Sequence, residues 1–151
     1  MTVKGLDKYS KMLDKLGKEA PEVTKKAVYK GAGIVAGEVR KNLIKNLSDP
    51  YYAGTGDGDY KTTEPTGDLL AAFGIASIGT DSGGNTNTKI GFAGYDRNKV
   101  PNALKARAME SGTSTLRKRP FVRPAVNSAK KNALAAMGQV VEEEISKIYA
   151  L

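Results

Sequence analysis

Apolar residues recur along this chain at intervals that name its elements before anything else does. Leu6, Tyr9, Leu13 and Leu16 are spaced three, four and three apart, the signature of one helical face, which predicts a short helix closed by Gly17. A second helix is expected from Pro21. Its missing N–H is harmless at a first helical position, and Glu22 complements the positive end of the dipole. Val28, Ala32, Val35, Val39, Leu43 and Leu47 follow one face of that helix, and Ile34 and Ile44 widen it. The expected helix reaches about Leu47 and spans roughly 40 Å.

The pattern then changes period. Residues 48 to 65 form a stretch rich in Gly, Asp, Tyr and Pro, read as a long flexible loop. Thr66 is a candidate cap for a short turn over "TGDLLAAF". "AFGIASIGT" (72–80) and "TKIGFA" (88–93) read as two strands joined by "DSGGNTN", a β-hairpin over about 72–93. Pro101 opens "PNALKARAMES", whose Ala and Leu content predicts a short helix, with a strand as the alternative. A last helix is expected from Pro124, with Arg123 outside it because a residue before proline avoids the helical region. Val126, Ala129, Ala133, Met137, Val140 or Val141, Ile145 and Ile148 form its apolar stripe. These elements make an α+β domain covering residues 1–151, with long N- and C-terminal helices on a small antiparallel sheet.

Composition narrows the chemistry. The chain has 151 residues, 40% hydrophobic and 26% charged, the ordinary globular range, and only 7% aromatic, so its core must rest mainly on aliphatic side chains. It has no Cys and no His. That excludes disulfides, thiolate zinc sites and every nucleophile activated by an imidazole, and any metal would need carboxylates alone. No stretch reaches the ~18 apolar residues of a membrane span, and "MTVKGLDKYSKML" lacks an apolar targeting core, so no membrane partner is expected.

The net charge of +8 is segregated: +6 over residues 1–47, −3 over 48–103 and +5 over 104–151. Basic ends around an acidic middle suit either nucleic acid or a contact between unlike surfaces of identical subunits.

Several motifs invite a sharper reading. "KGAGIVAGEV" resembles a phosphate loop only in its glycines. It lacks the Gly-Lys-Ser/Thr ending, and a small-residue surface for close helix packing explains it better. "GDGD" (56–59) lacks the closing Glu of a calcium loop and fits an exposed loop. Glu110 stands beside Ser111 and Thr113, but neighbours in sequence do not make a base and nucleophile, and no catalytic motif is present. Neither enzyme activity nor a cofactor is expected.

The densest motif is "ESGTSTLRKRPFVRPA" (110–125). Arg117, Lys118, Arg119 and Arg123 could meet phosphates, with Phe121 as a stacking face, although no zinc-finger, RRM or KH signature accompanies them. The plainer reading makes Phe121 an apolar plug between Pro120 and Pro124 and the cations a solvated rim. That explains the phenylalanine and the prolines but leaves the cations without a purpose unless they meet an acidic partner.

"ESGTSTLRKRPFVRPAV" resembles the Glu-x-Gly-Thr-Ser, spacer, Arg-Pro-Phe-x-Arg-Pro-Ala signature of the tail-component family in the head-to-tail joining modules of long-tailed bacteriophages. "GLDKYSKMLDKLGKEAPEVTKKAV" is similar to the family's N-terminal helix, and "PTGDLLAAFGIAS" to its Asp-Thr-Gly-x-Leu-Arg-x-Ser-Ile element. Pro65 stands where the family has Asp, Leu70 where Arg is common, and Ser111 where an aromatic is usual.

The resemblance implies a structural protein that forms a ring at the neck of the virion, completing the tail or joining it to the filled capsid. Its partners would be further copies of itself, other neck and tail proteins, and genomic DNA through non-specific contact. The free protein could be a monomer, made in the host cytoplasm. Glu110, Gly112, Thr113, Pro120, Phe121 and Pro124 would anchor the signature, and Arg117, Lys118, Arg119 and Arg123 would face a neighbouring subunit or the DNA-bearing lumen. A non-specific DNA-binding protein is the alternative.

Overall fold

One helix, α1 (Leu6–Leu47), stands where two were expected. The computed structural model describes residues 6–48, 67–114 and 116–150, so the acidic "GDGD" and all of the expected loop except Ser48 lie outside the described residues. Gly17 does not end the helix and Pro21 does not start one; Pro21 sits inside it. Proline's fixed φ is itself helical, so it removes one hydrogen bond and crowds the carbonyl four residues back without forbidding the turn. Packing supplies the remainder, because Val23 and Ala27 just beyond the proline are buried and Lys26 pairs with Glu144 on the last helix at 3.3 Å. At 42 residues the helix is roughly 60 Å long.

A short helix, α2 (Asp68–Ala72), follows, capped by Gly67 in the left-handed region at φ 85°. Thr66, the expected cap, lies outside the described residues. The hairpin is present in two pieces. Strand β1 (Phe73–Ile75) and β2 (Gly79–Thr80) return as β3 (Thr86–Asn87) and β4 (Ile90–Phe92). Phe73 pairs with Phe92 and Ile75 with Ile90, while Gly79 pairs with Asn87 and Thr80 with Thr86. The turn is shorter than the sequence suggested, because Asp81 Oδ1 accepts the N–H groups of both Gly83 and Asn85 at 2.9 Å and frees Thr86 and Asn87 for the ladder.

Helix α3 (Asn102–Ser111) confirms the helical reading of "NALKARAMES" over the strand, with Pro101 just ahead of it and bridged to Tyr95. The last helix, α4 (Val122–Tyr149), begins two residues before Pro124, and Arg123 lies within it.

α1 and α4 run antiparallel and form the long axis of the fold. Their seam is made of small residues: Ala27 and Gly31 on α1 and Ala125, Ala129 and Ala133 on α4 are buried. A Cβ on Gly31 would stand 2.5 Å from Met137 Sδ, whereas Gly33 and Gly37 face open space. Close packing therefore explains only the first of the three glycines. The buried row of α4 runs through Ala125, and Val126, expected in the stripe, is 39% exposed. The main core lies at the other end of α1, where Val39 and Leu43 meet Leu69, Ala106, Met109, Phe121 and Ala125. Phe73, Phe92 and Leu70 close over it. The architecture is thus α+β, with long terminal helices and a small antiparallel sheet.

Candidate assembly surface

The segment between α3 and α4 is held from three sides. α3 ends at Gly112, whose φ of 74° suits glycine, and a Cβ there would press on the Lys118 backbone at 3.0 Å. The chain then turns through Thr113, which accepts the Leu116 N–H on its hydroxyl at 3.0 Å and donates its own N–H to the Leu116 carbonyl at 2.9 Å. It comes back along α3, and the Arg119 N–H donates to the Met109 carbonyl at 2.8 Å.

α1 grips the same stretch. Asn42 Nδ2 donates to the Phe121 carbonyl at 3.2 Å and Asn46 Nδ2 to the Arg119 carbonyl at 3.1 Å. The geometry follows from two periodicities. Four residues of helix advance about 6 Å, and two residues of extended chain advance about 6.6 Å, so amides at i and i+4 meet alternate carbonyls of a strand-like segment. Pro120 sits between those carbonyls, where it holds the segment extended and has no N–H to satisfy.

Glu110 completes the hold. Its Oε2 accepts the N–H groups of Phe121 at 2.8 Å and Val122 at 2.9 Å, and its Oε1 accepts that of Arg123 at 3.0 Å. A helix leaves four first-turn donors without internal partners. Here three go to one carboxylate from another helix, and the fourth belongs to Pro124, which has none. This accounting explains why α4 starts at Val122: Glu110 supplies the cap that no local side chain does, and its charge opposes the positive end of the helix. Burial raises the Glu110 pKa, but the three N–H bonds and nearby Lys118 outweigh it and hold the carboxyl below its ordinary value of 4.5.

Phe121 is the centre of the clasp. Its side chain is fully buried (0% exposed) and lies edge-on to Phe92, with centroids 6.0 Å apart, while Phe92 in turn packs on Phe73 at 5.3 Å. Glu110, Gly112, Thr113, Pro120, Phe121 and Pro124 thus meet in one small structure.

The cations lie around it. Arg117, Lys118 and Arg123 are exposed and Arg119 half-buried. Sequence reasoning missed that Lys41 and Lys45, also exposed, lie on the α1 turns that carry Asn42 and Asn46. The same end of the molecule is therefore basic on two elements. The missed signal was a pair of amides four apart on the apolar face that holds Val39 and Leu43, since buried amides require partners.

Elsewhere, Asp68 receives Arg97 through two parallel bonds of 2.9 Å, tying α2 to the loop after β4. Asp96 accepts the Asn98 and Val100 N–H groups and pairs with Lys105 at 3.0 Å. These are loop fasteners. Leu70, at the position where the resembled family often has Arg, packs against the core. Among the described residues no group of three or more carboxylates could hold a metal ion, and no described helix is long and apolar enough to cross a membrane. No family model, curated protein or solved structure matches this chain.

Proposed function

We propose that this protein is a structural subunit of the neck of a tailed bacteriophage, forming a ring that completes the tail or joins it to the DNA-filled capsid. The observation that carries the reading is the clasp. Glu110, Gly112, Thr113 and Phe121 of the resembling motif each have a physical task in one compact structure, and the motif's cations leave a basic rim on the surface. In a ring, that rim meets an acidic surface of the next subunit or lines the path of the genome. The protein acts by shape and charge, without catalysis or a cofactor, in the host cytoplasm during assembly and then in the virion. Its partners are its own copies and the adjoining neck and tail proteins.

The test is a nonsense allele in the phage or prophage that encodes the chain, examined by electron microscopy, with immunogold labelling of wild-type particles. Filled heads accumulating apart from tails, and label at the head-to-tail junction, are expected. Normal joined particles without label would refute the proposal.

Placement of the exposed Lys41 and Lys45 on the α1 turns that hold the clasp supports a second reading, non-specific DNA binding. Its competitor strength is limited by the fully used first turn of α4, which offers no N–H to a phosphate. Duplex binding measured across salt concentrations decides, since each phosphate contact contributes about 0.9 to the log–log slope.

A further inference from the structure

Among the described residues, the antiparallel register leaves the start of α1 with no residue of α4 opposite it. Lys26 faces Glu144 and Gly31 faces Met137. Tyr149, where α4 ends, therefore lies opposite the turn near residue 20, and the preceding turns of α1 run past it. Leu6, Tyr9 and Leu13 share one face of this overhang and are 60%, 65% and 61% exposed. Asp7 and Asp14 each follow a stripe leucine by one position, so both lie on the same flank. Lys8, Lys11, Lys15 and Lys18 occupy the opposite face of the helix.

The molecule also carries an apolar groove of about 400 Å³ between α1, the hairpin and α4, with Val28, Val35, Ile90 and Met137 in its walls. Its α4 rim is Val126, Lys130 and Leu134, the last 58% exposed. Among the described residues of the lining, Lys130 is the one that carries a charge. From Val126 to Leu134 the rim runs about 12 Å, and from Leu6 to Leu13 the stripe runs about 10.5 Å.

We infer that the overhanging stripe of one copy docks in the groove of a second copy, with Asp7 or Asp14 toward Lys130. The occupant must be another molecule. The overhang is one unbroken helix with a groove wall, so it cannot fold back into its own groove. The contact joins two different surfaces, which is the kind that closes into rings. It rests on the ring reading above only for its place in a virion. The exposed parts of Leu6, Tyr9, Leu13, Val126 and Leu134 amount to roughly 500 Å², well short of the ~1,200–2,000 Å² of a stable pairwise interface. One contact is therefore weak, and closure of a ring adds the avidity. That explains how a monomer when dilute can be an oligomer in place.

The absence of cysteine makes a clean test. Full-length Leu13→Cys and Leu134→Cys proteins are mixed at high concentration, oxidised and analysed by mass spectrometry. The mixed adduct should exceed its statistical share. By sedimentation, Leu13→Asp and Leu134→Asp should each lower the self-association constant by about tenfold or more, with helicity unchanged. A dominant Leu13→Cys homodimer would mean that stripes pair with each other. No adduct at any soluble concentration would mean that another segment or protein covers the groove. Either result overturns the inference. Joined virions bearing the label but lacking the mixed adduct would sink the docking and spare the neck assignment; the adduct without label at the junction would do the reverse.

Discussion

The two ends of α1 differ in how completely they are used. Around Leu43 and Asn46 the inner face of the helix is covered: apolar atoms meet Phe121 and Met109, and the amides of Asn42 and Asn46 serve the carbonyls of the incoming segment. Around Leu6 to Leu13 the same helix presents an equally regular apolar face that stays exposed among the described residues. Amphipathic spacing therefore marks a face that must be covered, without saying by what. At the clasp end the cover is local, and at the overhang we propose that it is another copy.

The sharpest way to break this contrast is Phe121→Ala. Loss of a fully buried ring should cost ~3–5 kcal/mol in chemical denaturation, and a cost under ~1 kcal/mol would show that the clasp is not the core's keystone. Glu110→Gln comes next, at about 2 kcal/mol near neutral pH, because the amide offers one acceptor oxygen and no charge to three donors.

The sign of its pH dependence follows from the lowered pKa of Glu110. Its contribution is complete above the ordinary value of 4.5 and is lost as pH falls through the lower folded value. Melting curves of the wild type and Glu110→Gln should therefore converge on acidification. A gap that stays constant below pH ~4 would contradict the cap. The smallest effect on folding belongs to Leu13→Asp at the overhang, within about 0.5 kcal/mol of wild type; a large loss there would mean that the stripe is already covered in the monomer.

Much of the architecture was legible from residues alone. The hairpin, α3 and both long helices follow from hydrophobic period and turn chemistry, and Phe121 between two prolines announced a buried anchor. The misreadings have physical reasons. Gly17 and Pro21 are local signals for a break, and α4 packing on Val23 and Ala27 outweighs them. Pro124 reads as a helix start by local rules, yet Glu110, twelve residues before Val122, caps the helix earlier. For the clasp, the composition of the motif pointed to an anchor. Asn42 and Asn46, on a different element, showed by their spacing on the apolar face only that they need partners, and did not show which, because a hydrogen bond to a backbone carbonyl leaves no pattern in the partner's sequence.

By itself the sequence determined which faces are apolar, where the chain turns, that imidazole and thiol chemistry is absent, and that charge is divided between ends and middle. These depend on residue type and spacing, which act over one or two turns. Tertiary structure alone decided that α1 is continuous, that Glu110 caps a helix other than its own, and that the α1 turns carrying Lys41 and Lys45 lie against the clasp. Each depends on groups far apart in the chain and brought together by burial of the common core.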